Sequence, residues 1–232
     1  KGGVLYALIG GPELKIPVTP GKGGGLGHWP WGMWPGYDYK NPKTAFGSGR
    51  HLLAFDVESK KILWRHISKE YYDGRAVCMK GGRIYAYSPD KKLVCLDAKS
   101  GKPIWSTSES DVVKAIGNNG RAQGYIRGFA TTCYMKVSDD YIFFAGPQRK
   151  QLVVASAKDG KLAWAHPNGN LQLVLRDDGV YCAGPKSTGV KLDYATGKEL
   201  AKLPTRRACT RATSRDGACP CVASPSRAPL KI

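Results

Sequence analysis

The chain has 232 residues, with 36 Lys and Arg against 18 Asp and Glu, a formal net charge of +18. Gly (29) and Pro (15) make up about a fifth of it, well above the ~12% of average usage; with 42% hydrophobic residues and 12 Tyr, this points to many short strands joined by tight turns. No apolar run approaches the ~20 residues of a bilayer-spanning helix, which excludes an integral membrane protein of that kind. Lys1 is preceded by no Met, and no charged n-region with an apolar core follows it, as expected of a chain whose leader was removed or of an internal piece of something longer.

In chain order, Val4–Ile9 reads as a strand and 11–47 as an insertion. Within the insertion the glycine-rich run 21–36 (GKGGGLGHWPWGMWPG) carries Trp29, Trp31 and Trp34. Flat rings supply contact area at little entropic cost, so this loop is a candidate for stacking on a sugar, base or quinone. The alternative is that its indoles cap an otherwise exposed sheet.

Four segments then superimpose: LLAFDVESKKILW (52–64), LVCLDAKSGKPIW (93–105), LVVASAKDGKLAW (152–164) and VKLDYATGKELA (190–201). Each is an apolar strand followed by an Asp slot (Asp56, Asp97, Ser156, Asp193) and a Gly slot (Lys60, Gly101, Gly160, Gly197). A Lys slot (Lys61, Lys102, Lys161, Lys198) and a Trp slot (Trp64, Trp105, Trp164, Ala201) complete the motif. Asp at a strand end bonds turn amides, and Gly accepts the positive φ that other residues resist. Each copy is therefore a hairpin whose Trp covers the neighbouring unit. Two further strand-like segments precede each later copy: 75–79 and 83–87, then 130–136 and 141–145, then 171–175 and 180–183. Four strands per unit, repeating, is the pattern of a β-propeller blade. The motif positions lie 41, 59 and 37 residues apart, against about 40–45 for a blade, and the excess falls in 106–128.

The expected fold is thus all-β: a β-propeller of four-stranded antiparallel blades forming an incomplete arc of about four. Residues 68–107, 125–166 and 170–203 are full blades; Val4–Ile9 with 52–66 is a partial one, and Arg206 opens the first strand of another. Blades occupy 1–213, interrupted by the insertions 11–47 and 106–128, and 214–232 is an irregular or disordered tail. The arc would leave unpaired strand edges at its two ends.

These residues resemble the repeat of the PQQ-like propellers, the quinoprotein alcohol dehydrogenase-like superfamily, whose blade motif reads roughly A-x-D-x-x-T-G-K-x-x-W. The resemblance covers about 150 residues, and here the motif stands as AFDVESKKILW, CLDAKSGKPIW and ASAKDGKLAW. It implies that Trp64, Trp105 and Trp164 join adjacent blades. The true enzymes of this family hold PQQ over a Trp, bind Ca²⁺ through carboxylate and amide groups, and carry a vicinal disulfide and a catalytic Asp. This chain has no adjacent Cys pair and no assignable calcium cluster. No catalytic residue and no metal site is therefore expected, and no cofactor; PQQ with Ca²⁺ enters only under the alternative below.

Of the seven cysteines, Cys78, Cys133 and Cys209 share first-strand positions near a propeller's channel, while Cys182 falls on a second strand and Cys95 on a third. A thiol ring is the chemical reading; small side chains on a crowded inner strand are the packing one, which we favour. Arg75, Arg127, Arg206, Arg207 and Arg211 lie near blade tops and connections, where guanidinium forks suit carboxylate or phosphate. Lysines are spread over the turns and no run of five or more like charges occurs, so a nucleic-acid partner is not expected. The expected function is a non-catalytic binding or scaffold module of the bacterial cell envelope or periplasm, its partner a protein or small ligand on the loop face. The alternative is part of a PQQ-dependent quinoprotein oxidoreductase whose cofactor residues lie outside this chain. The envelope location is implied by the resemblance.

Overall fold

A computed structural model of the chain describes residues 3–10, 48–108, 110–117, 134–145, 151–167, 172–183 and 188–205. The chain divides into two compact units, Lys1–Gly169 and Asn170–Ile232. The first unit holds three antiparallel sheets. One is β1 (Val4–Ile9), β2 (Ser48–Asp56) and β3 (Lys61–Asp73). The next is β4 (Val77–Lys80), β5 (Arg83–Ser88), β6 (Lys92–Asp97) and β7 (Pro103–Ser108). The third is β8 (Tyr134–Val137), β9 (Tyr141–Ala145), β10 (Leu152–Ser156) and β11 (Leu162–His166). The second unit holds a fourth sheet: β12 (Gln172–Arg176), β13 (Gly179–Ala183), β14 (Thr188–Leu192) and β15 (Glu199–Thr205). In every sheet sequential strands are neighbours, as in a propeller blade. The all-β expectation holds, with three four-stranded blades and a three-stranded one among the described residues.

The motif turns explain themselves atom by atom. In the second sheet Asp97 N donates to Lys102 O (2.9 Å) and Gly101 N to Asp97 O (2.8 Å), and the same pair of bonds recurs at Ser156 and Asp193. The Asp97 carboxylate accepts from Ser100 N (2.7 Å) and Ser100 Oγ (2.6 Å); Asp193 does the same with Thr196. These bonds hold both carboxyls below the usual aspartate range. The reversal needs a left-handed residue, and Gly101 (φ 71°) and Gly160 (φ 73°) supply it. In the first sheet Lys60 takes that conformation (φ 57°) with a full side chain.

A second device recurs in all four sheets. The ladder slips by one residue just before the Trp slot, leaving Leu63, Ile104, Ala163 and Leu200 as the extra residue. Such a bulge re-aims the side chain that follows it. Here it lays the indole across its own sheet and forward. Trp64, Trp105 and Trp164 each sit beside an aromatic two strands away, Tyr6 on β1, Tyr85 on β5 and Phe143 on β9, at centroid distances of 6.1, 6.0 and 6.2 Å. The residue between them on the intervening strand is small or branched: Ala54, Cys95 or Val154.

From its sheet each indole of the first two reaches the next turn. Trp64 Nε1 donates to Ala98 O (3.0 Å) and Trp105 Nε1 to Ala157 O (3.3 Å). A Cβ on Gly101 would overlap the Trp64 ring, and one on Gly160 the Trp105 ring. The Gly slot thus serves twice, for its φ and for the indole lying on it. Between the first two sheets Leu52, Tyr72, Ile84, Ala86, Val94 and Leu96 form a core; between the second and third, Tyr85, Leu93, Phe144 and Val153 form another. Of the expected insertion 106–128, residues 106–108 complete β7 and Asp111–Ile116 form a short helix, α1. Its Val112, Val113 and Ile116 are buried in the second core.

In the fourth sheet the Trp slot is Ala201. Lys191, its cross-strand partner, lies over the Tyr181 ring instead, and Asp178 Oδ2 accepts from Lys191 Nζ (2.8 Å) and Tyr181 Oη (2.7 Å).

Candidate functional site

Antiparallel order sorts the connections by end. In the four-stranded sheets the turns between strands one and two, and three and four, close one end with a few residues, as the β2–β3 turn does in the first sheet. Links between strands two and three, between β1 and β2, and from sheet to sheet leave from the other end; these include 10–47, 109–133, 146–151 and 184–187. Loops carry recognition on a rigid scaffold, so the long-connection end is the candidate binding surface. Trp29, Trp31, Trp34, Arg127, Arg206, Arg207 and Arg211 lie outside the described residues. So do Cys133 and Cys209, which leaves the thiol-ring arrangement without described members beyond Cys78. The segments holding Trp29, Trp31, Trp34 and Arg127 begin and end at the same end of the first unit's sheets as Arg75.

Arg75 stands in a 3₁₀ turn, Gly74–Ala76, between β3 and β4. Its amide (3.0 Å) and its Nε (3.4 Å) both face Oδ1 of Asp73, which caps the turn. Asp73 is 3% exposed, and its Oδ2 has no hydrogen-bond partner. Sequence reasoning singled out Arg75 but missed Asp73, although an acid two residues before an Arg across a Gly is a readable turn signal. Near this end Ser88 Oγ donates to Tyr71 O (2.7 Å) and Arg50 Nε to Ser68 O (3.0 Å), tying β3 to its neighbours. His66 Nε2 lies 3.2 Å from Tyr72 Oη; burial, then the Lys92 charge, holds its pKa below the ordinary histidine range.

At the opposite end an open groove of about 530 Å³ runs between the first two sheets. Val4, Tyr6, Leu63, Met79 and Ile104 form its apolar wall, and Arg83 and Asp97 its polar one.

The three described thiols are packing residues. Cys78, Tyr85, Cys95 and Trp105 stand in one cross-strand row. Burial raises the Cys78 thiol to about 12, Cys95 to about 11 and Cys182 to about 12. A tyrosine strand separates Cys78 from Cys95, so they do not form the adjacent pair of a quinoprotein. No group of three or more His, Cys, Asp or Glu among the described residues could hold a metal ion.

Four-strand sheets repeating a Gly-under-Trp turn define a PQQ-like β-propeller repeat protein. Comparison with known proteins agrees. Residues 48–223 match the family described as outer membrane protein assembly factor BamB, and the chain belongs to that family. Quinohemoprotein alcohol dehydrogenase ADH IIB of Pseudomonas putida is 34% identical over 99 residues, which span 36% of this chain and 14% of that one. Among solved structures, BamB of Moraxella catarrhalis is matched over 68% of this chain and 45% of its own (14% identity, TM-score 0.45). The computationally designed protein Ika8 is matched over 72% and 49% (14% identity, TM-score 0.51). The chain thus covers less than half the length of each.

Proposed function

We propose that this chain is a non-catalytic propeller module of the bacterial periplasm or cell envelope, binding a protein partner at the long-connection end of its sheets. Membership of the BamB family over 48–223 carries the reading. The asymmetry of the sheets supports it: one end is closed by hydrogen-bonded turns of fixed chemistry, and the other bears every long connection together with Asp73 and Arg75. A partner of the outer membrane protein assembly machinery fits the family description. Its carboxylates would meet the Arg75 fork. The test is binding of the purified chain to purified assembly-machinery subunits by calorimetry. Saturable binding weakened by Arg75→Glu supports the reading, and no binding to any subunit sinks it.

A second reading is favoured by one observation, the 34% identity to a quinohemoprotein alcohol dehydrogenase. Under it the chain is a part of a PQQ-dependent oxidoreductase. Reconstitution with PQQ and Ca²⁺ followed by a dye-linked alcohol assay separates the two; sustained turnover would replace the first reading with the second.

A further inference from the structure

Towards its end β3 leaves the ladder of the first sheet. His51 pairs with Ile67 and Gly49 with Tyr72, so the four residues 68–71 stand opposite Arg50 alone. A bulge of that size makes a strap over the sheet end. Side chains of β2 and β5 hold its backbone: Arg50 Nε donates to Ser68 O (3.0 Å) and Ser88 Oγ to Tyr71 O (2.7 Å). Within the strap Glu70 N donates to Ser68 Oγ (3.1 Å).

A titratable pair closes the neck. His66 stands before the strap and Tyr72 after it, with Nε2 3.2 Å from the phenol oxygen. Tyr72 and Ser68 are buried, and the Ser68 hydroxyl also bonds the phenol. The four groups form a relay whose far end is fixed, because the Glu70 amide can only donate. A neutral His66 fits it: Nε2 accepts the Tyr72 proton while Tyr72 accepts from Ser68. A protonated ring offers no acceptor. Tyr72 must then turn its proton towards Ser68, and the Ser68 proton loses its acceptor in a buried site.

Charge acts in the same direction. Lys92 of β6 lies over the Tyr72 ring (5.6 Å), and its charge faces His66. Asp90 and Lys91, in the turn before it, are exposed. On β2 the cross-strand neighbour of His66 is Leu52, and Arg50 is turned to Ser68 O and the Tyr71 ring. On β3 itself Arg65 and Lys69 are exposed, and Asp73 beyond the neck engages Arg75.

We propose that residues 68–71 are a proton-operated strap: protonation of His66 opens its neck and loosens the chain as far as the turn of Asp73 and Arg75. Asp73 Oδ2 is buried without a hydrogen-bond partner, so loosening also hydrates an orphaned acceptor. Mild acid thereby slackens the end of the sheets that bears Arg75. That last consequence rests on the reading of this end as a binding surface; the strap does not, and its test requires no partner.

Hydrogen exchange of the full chain, read by mass spectrometry on peptides covering 67–75 and corrected for the intrinsic effect of pH, measures the opening. Protection there should fall about threefold or more between about pH 7.5 and about pH 5.5. The opening should be local: low urea should leave exchange in 67–75 unchanged while it quickens that of β5 and β6. His66→Gln should abolish the fall with pH, and Lys92→Gln should lessen it by removing one of two cations. Near-UV circular dichroism of each variant confirms folding. Protection independent of pH, an undiminished fall in either variant, or exchange in 67–75 that follows β5 and β6 in urea would each overturn the proposal.

Discussion

Gly101 and Lys60 occupy the same turn position and answer opposite demands. At Gly101 any side chain meets both a left-handed backbone and the Trp64 ring. Gly101→Ala should cost roughly 2–5 kcal/mol, the sum of the αL penalty and overpacking. Lys60→Gly relieves only the backbone and should raise stability by up to about 1 kcal/mol. Paired urea titrations read both, and a Gly101→Ala midpoint equal to wild type would contradict the packing. His66 sets a pH dependence of known sign. Its folded pKa lies below the unfolded 6.5, so the unfolded chain binds the proton first. Stability is then full above about pH 6.5 and falls as pH drops toward the folded value. His66→Gln should flatten melting temperature against pH across that window; an unchanged slope would place the titration elsewhere.

At the scale of the element, the bulge and the indole act as one device. Trp105→Ala should destabilise by about 3–5 kcal/mol as the ring leaves a void over Gly160. Trp105→Phe keeps a ring but loses the bond to Ala157 O and should cost about 1 kcal/mol beyond the volume change. Chemical denaturation of the three proteins gives the ranking, and equal losses for Phe and Ala would show that the bond and not the ring matters. The hairpins were legible in sequence because Asp, Gly, Lys and Trp each have a local cause at their slot. The bulge was not, since its residue is Leu, Ile, Ala or Leu and only cross-strand register reveals it. Helix α1 escaped for a related reason: six residues with Val112, Val113 and Ile116 apolar carry too little periodicity to stand apart from a strand.

For the whole molecule, the blade count followed from spacing, and the three-stranded first sheet from reading Val4–Ile9 with 52–66 as a partial blade. The site was less legible. Arg75 was visible as a basic residue near a connection, but its engagement by Asp73, which faces both its amide and its Nε, was not, because the burial of that carboxylate is set by tertiary packing. The cysteines were read as packing residues, and the described three behave so. Cys78, Cys95 and Cys182 should resist a thiol reagent at pH 8 until the protein unfolds, since burial keeps each protonated. Counting reactive thiols before and after denaturant checks this; rapid labelling of Cys95 in the native chain would contradict the Trp105 row.

The forward reach of each indole gives the array a grammar. Every junction in the first unit is written with the same two letters, a ring offered by one repeat and a bare glycine received by the next. Cutting out the second repeat whole would bring Trp64 to Gly160 and spell a permitted word. Lineages of this architecture can therefore lengthen or shorten by complete repeats without inventing a new interface.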